Sequence, residues 1–424
     1  MDTRANLPVR QTINKALIIG VIAGCYLAQT FVLATDVYSQ DRSRIYGVIH
    51  TVYGDKLEGF IRWDKNEGSW DDILDGDKER RSVEKRNRRK KYKSRRIQIF
   101  GMTIYSDDEG YNWSRSAQSG IAFGNIQTLE PIGDDAVLLT LKSGETLELE
   151  NGSTDIGDNI REIVIEDIEE GELELEWDDI ELIEFSQAPD GRKSDFGKRI
   201  YGTVTSRRGD QFTGFICWDM DELFETDILD GDVRDRRRKI RFGRIKSIER
   251  RGHSGSLVTL RDGKTLRMED SNDVDDGNRG ILISDMDLGR VIIEWDEFDV
   301  IEFSDPPDEI SYDSFDGGKR LKGTVTTKDG DKYTGEITWD ADEEYTWEIL
   351  DGEYRGVSYD VFFGNIASIE PSRRGAIVIL RDGRELRLRD SNDVDDGNKG
   401  IFIKEDGSFL AEVDWEDLEK IVFE

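Results

Sequence analysis

The stretch Gly202-Thr203-Val204-Thr205-Ser206-Arg207-Arg208-Gly209-Asp210-Gln211-Phe212-Thr213-Gly214-Phe215-Ile216-Cys217-Trp218-Asp219 decides the fold. Apolar and polar residues alternate on both sides of Gly209-Asp210, and Gly accepts the positive φ of a tight turn. That is the signature of a β-hairpin. The same spelling returns twice. One copy opens at Arg44-Ile45-Tyr46-Gly47, the second at Arg199-Ile200-Tyr201-Gly202 and the third at Arg320-Leu321-Lys322-Gly323. Each continues through Gly-Asp (Gly54, Gly209, Gly330), a second Gly (Gly59, Gly214, Gly335) and Trp-Asp (Trp63, Trp218, Trp339). Leu-Asp-Gly, Phe-Gly-x-Ile and a closing Trp with a Phe eight residues on (Trp177 and Phe185, Trp295 and Phe303, Trp415 and Phe423) complete each copy.

Alternation also surrounds Arg261-Asp262-Gly263-Lys264, and Ser143-Gly144 and Asp382-Gly383 mark the matching hairpins. No long stretch follows the 3.6 spacing of a helix. The chain is therefore expected to be all-β, with three tandem modules of small antiparallel β-barrels or sandwiches at 44–186, 199–303 and 320–424. Each module has room for two SH3-like sub-barrels. Pro189 and Pro306-Pro307 lie in the spacers between copies, which read as domain boundaries. The half-modules resemble SH3-like and Sm-like small barrels in strand pattern, and that likeness brings no functional residue with it. The whole module resembles repeats common in exported bacterial proteins of unassigned activity.

Composition narrows the chemistry. Two His (His50 and His253) and two Cys (Cys25 and Cys217) lie far apart in the sequence, which argues against a zinc site or a disulfide framework. Cys217 beside Trp218 reads as a buried thiol. A net charge of −33 argues against nucleic acid as a partner of the whole chain. Arg4, Arg10 and Lys15 precede the apolar run 16–34, the layout of a signal peptide. Lipidation at Cys25 and an uncleaved anchor are the rival readings of segment 1–34. All three export the rest of the chain to the periplasm, the outer membrane or the outside, with membrane contact only through this segment.

Two loops are candidate sites. Asp270-Ser271-Asn272-Asp273-Val274-Asp275-Asp276-Gly277-Asn278 recurs unchanged at 390–398. Closely spaced Asp and Asn on a Gly turn suit a hard cation, so Asp273, Asp275, Asp276, Asp393, Asp395 and Asp396 are candidate Ca²⁺ ligands. The spacing departs from the D-x-[DN]-x-[DN]-G loop, which favours the other reading, a turn whose Asp side chains bond their own backbone. No other cofactor is expected. The second loop is basic: an insertion at about 78–120 of copy one holds twelve Lys and Arg against two Glu between Lys78 and Arg96. Arg88, Arg89, Lys90 and Lys91 there, with Arg236, Arg237 and Arg238 in copy two, are candidate contacts for an anionic polymer, an acidic protein or a second copy of the chain. Trp70, Trp113 and Trp347 stand outside the shared pattern and are expected to be exposed contact residues. The chain reads as a non-enzymatic binding or structural protein of the envelope that presents repeated modules to a macromolecular partner. Calcium-dependent adhesion or carbohydrate binding is the alternative, and a glycan-active enzyme is less favoured.

Overall fold

A computed structural model describes residues 41–79, 98–99, 102–103, 116–150, 153–307 and 310–424. The fold is all-β and antiparallel, in three modules. In module two the quoted hairpin forms strands Tyr201–Ser206 and Gln211–Trp218, and burial alternates along the first as the pattern requires. The sheet runs in the order Gly289–Ile293, Ile281–Asp285, Gln211–Trp218, Tyr201–Ser206, Phe298–Phe303, Ile245–Arg250, Gly255–Leu260, Thr265–Glu269, Ile228–Asp232, Arg237–Arg241. Module one repeats this order from Gly171–Leu175 to Ser116–Ala122. Module three repeats it from Ser408–Val413, with Ile349–Tyr354 joined to the preceding strand by the bridge Glu353 to Arg389. The two expected sub-barrels are the two wings of one open sheet, sharing the strand Phe298–Phe303 and its counterparts.

The paired glycines explain how the sheet bends. Gly202 lies opposite Gly214, as Gly47 does to Gly59 and Gly323 to Gly335. A Cβ on Gly214 would come within 2.3 Å of the Ser284 carbonyl oxygen, and one on Gly59 within 2.0 Å of that of Glu166. Register shifts at Thr205/Ser206, His50/Thr51 and Thr326/Thr327 add a bulge at the same place in each module, and a bulge increases local bend and twist.

Inside each bend sits a fully buried Trp: Trp63, Trp218 and Trp339. Each meets the module's closing Trp edge to face, with centroids 6.0–6.4 Å apart. Its indole N–H donates to a loop carbonyl, Asp155, Asp273 or Asp393, at 2.9–3.0 Å. Cys217 is buried beside Trp218, and burial raises its thiol pKa well above the usual value.

The modules are fused to one another. Gly289–Ile293 of module two pairs with Val357–Phe362 of module three, so one twelve-stranded sheet crosses the boundary and the two cores are continuous. Between modules one and two, Arg199 holds Asp71 and Asp72 at 2.6–2.8 Å while Arg62 holds Asp227. Between modules one and three, Lys78 meets Glu348. The spacer also packs: Tyr312 lies against Trp70 with ring centroids 4.4 Å apart and planes tilted by 42°, and its hydroxyl donates to the Ile126 carbonyl. Trp70 and Trp347 are accordingly buried, 0% and 5% exposed, against the expectation of exposed contacts. They escape the repeat pattern because they fill junctions that differ from pair to pair. Trp113 lies outside the described residues, as does segment 1–34. Among the described residues no helix is long and apolar enough to cross a membrane.

Candidate functional site

The acidic loops divide their six candidate ligands. Asp273 points inward: its Oδ2 accepts from the Asp230 amide at 2.6 Å while its carbonyl takes the Trp218 indole. Asp393 does the same with the Asp351 amide at 3.0 Å and Trp339. In module one Asp155 takes that place, accepting from the Asp75 amide at 2.8 Å. Asp275 and Asp395 instead accept from the Gly277 and Gly397 amides at 3.0 and 2.8 Å, closing an Asx turn. Asp276 and Asp396 are exposed. In module three the split is complete. Asp393 lines one cavity, and Asp395 and Asp396 line another.

What Asp273 and Asp393 do meet is a set of carboxylates from the Trp-Asp turn. Asp64, Asp219 and Asp340 adopt the left-handed region, with φ of 41°, 51° and 44°, and lie at most 3% exposed. Asp is among the residues that tolerate this conformation. Each accepts the backbone amide of a basic residue and pairs with its side chain. Arg161 meets Asp64 at 2.9 Å, Arg279 meets Asp219 at 3.0 Å and Lys399 meets Asp340 at 2.7 Å. The turn ends on Glu67, Glu222 or Glu343, whose backbone bridges back to the Trp.

These glutamates are the unusual groups of the molecule. Glu67 and Glu343 are 3% and 6% exposed, and the Oε2 of each meets no hydrogen-bond donor among the described residues. Burial holds both carboxyls well above the usual range, and the neighbouring acids push the same way (Asp155 and Asp64 for Glu67, Asp393 and Asp342 for Glu343). Burial, with Asp221 and Asp273 alongside, pushes Glu222 up to about 11. In module two the carboxylate oxygens of Asp219, Asp221 and Glu222 lie within 4.8 Å of one another.

In module three the cluster opens into a cavity of about 480 Å³ where all three modules meet. Module one contributes Asp75 and module two Arg290. The Arg290 guanidinium bridges Asp75 at 2.7 and 3.0 Å and Asp360 of module three at 2.9 Å. Asp340, Asp342, Glu343, Asp351, Asp390, Asp393 and Lys399 complete the charged lining.

Of the basic candidates, Arg236, Arg237 and Arg238 are exposed on or beside the edge strand Arg237–Arg241. Arg237 is engaged by Asp230 and by the Asp270 carbonyl of its own module. Arg88, Arg89, Lys90 and Lys91 lie outside the described residues. The turn carboxylates were absent from the sequence-derived candidates. Their signal was present as Trp-Asp-x-Asp-Glu at 218–222 and 339–343, with a basic residue, Arg279 or Lys399, after the last Asn of each acidic loop. Comparison with protein-family models, curated proteins and solved structures finds no match to this chain.

Proposed function

We propose that the chain is an exported, non-enzymatic binding or structural protein of the cell envelope, which offers three modules to a macromolecular partner as one rigid body. The observation that supports this reading is the use made of the recurrent residues. The Trp pairs, the Trp-Asp turns and their basic partners are what the copies share, and all of them are engaged in building the modules. Ion pairs between modules, with Arg199, Lys78 and Arg290 each no more than 15% exposed at the side chain, then hold the modules in fixed relation. Part of what differs between copies sits on exposed faces, as Arg236 and Arg238 do. A protein or an anionic polymer of the envelope is the partner class that such charged faces suit.

The test is retention of envelope components on the immobilised chain at low salt and at about 0.5 M salt, where the screening length shrinks to a few Å. A defined component held at low salt and released at high salt is expected. No component at either salt, together with turnover of an envelope glycan, would overturn the reading.

A further inference from the structure

We propose that module three holds a site for a peptide turn of a partner protein, in the cavity of about 770 Å³ beside Trp415. The three copies differ there in the length of one hairpin loop. In module one residues 133–135 connect strands Ile126–Ile132 and Ala136–Leu141, and in module two residues 251–254 connect Ile245–Arg250 and Gly255–Leu260. Module three joins Ile366–Ser372 to Gly375–Leu380 by Arg373-Arg374 alone. The longer loops supply two consecutive main-chain carbonyls to two fixed donors. The Gly133 carbonyl accepts from the Trp177 indole at 2.9 Å, and the Asp134 carbonyl from the Asp158 amide at 3.2 Å. In module two Gly252 and His253 do the same for Trp295 at 3.3 Å and for Asp276 at 2.8 Å.

The short loop of module three offers neither carbonyl, and both donors remain. Trp415 is 8% exposed and lines the cavity, and its indole N–H meets no acceptor among the described residues. The amide of Asp396, the counterpart of Asp276, likewise meets none, and Asp396 lines the same cavity. An indole N–H can only donate, and burying it without an acceptor is costly. What fits is a pair of acceptors set out like the carbonyls of adjacent residues, which is the form a peptide turn presents. The two oxygens of a single carboxylate share one carbon and lie closer together than that. Arg373 and Arg374 flank the cavity without an ion-pair partner among the described residues, and their guanidinium groups add donors for further carbonyls of the turn. Four basic side chains face four acidic ones in the lining, so main-chain acceptors rather than charge select the occupant. The corresponding loops of a second copy are engaged within their own modules, which points to a different protein.

The probe is a cyclic peptide carrying Ile132-Gly133-Asp134-Asp135-Ala136, fluorescein-labelled and titrated with the full chain by anisotropy. Saturable binding is expected. Replacing Arg373-Arg374 by Gly-Asp-Asp, the loop of module one, gives module three its own carbonyls and should weaken binding about tenfold or more. Trp415→Phe removes one donor and keeps a ring, so a loss of about threefold is expected. This variant suffices if the loop replacement does not fold. Trp295→Phe should bind as the native chain does. In the free chain the Trp415 indole proton should exchange with solvent about tenfold faster than those of Trp177 and Trp295, by NMR on isotope-labelled tryptophan, and should slow when the peptide is added. No binding of the turn, undiminished binding in the loop replacement and in Trp415→Phe, equally slow exchange at the three indoles, or displacement of the turn by acetate or maltose at matched concentration would each overturn the proposal. None of these readouts depends on the retention of envelope components.

Discussion

A methyl group on Gly214 would sit 2.3 Å from the Ser284 carbonyl and 2.8 Å from the Ile283 side chain. Neither can yield without moving a neighbouring strand, so Gly214→Ala is expected to lose about 1–3 kcal/mol in urea unfolding. The importance of this glycine is legible in the sequence, because it recurs at one position in three copies. Asp72 is the opposite case, since nothing near it in the sequence announces Arg199 as its partner, 127 residues away at 2.6 Å. Burial raises the Asp72 carboxyl to about 6, and Arg199 opposes that rise. A carboxyl held above its unfolded value keeps its proton after the unfolded chain has released its own. Its contribution to stability is full below about 4 and is lost as the pH climbs through about 6. Tm measured over that range should therefore fall less steeply in Asp72→Asn than in the native chain.

At the scale of elements, hairpins and closing strands follow from alternation and Gly turns, and they lie where the pattern places them. The junctions do not follow from it. Comparing copies reveals only what copies share, and the junctions also use residues that they do not: Trp70 against Tyr312 and Lys78 against Glu348. The acidic loop was misleading for a related reason. Its run of carboxylates is continuous in sequence, but the short 3-10 turn Asn392–Val394 and the Asx turn after it send Asp393 one way and Asp395 another. The shared strand pair can be tested directly. Gly289 has a φ of 130°, and a Cβ there would meet the Asp360 carbonyl at 2.0 Å. Gly289→Val should part modules two and three while each keeps its own Trp core. The expected result is a second, lower calorimetric transition and new protease sensitivity in the 304–319 spacer.

The whole molecule behaves as one cooperative unit if its junctions are as tight as their burial implies. Three independent modules would melt separately, whereas fused ones should give a single transition with matching calorimetric and van't Hoff enthalpies. Arg290 is the residue on which that cooperativity turns, because it alone among the described residues is seen to pair with both neighbouring modules. Arg290→Met leaves Asp75 and Asp360 facing each other in a half-buried site, a loss of about 1–3 kcal/mol. Splitting of the single transition in this variant is the accompanying expectation. The strand Ser408–Val413 of module three is the counterpart of Gly289–Ile293, and among the described strands it has a neighbour on one side only. Phe409 and Leu410 stand along it, 44% and 41% exposed. The edge that in module two receives module three has, among the described strands, one neighbour in module three and likewise one neighbour in module one, at Gly171–Leu175. A crowded solution of these chains would present that edge to every neighbour, and self-association that grows with concentration is the consequence.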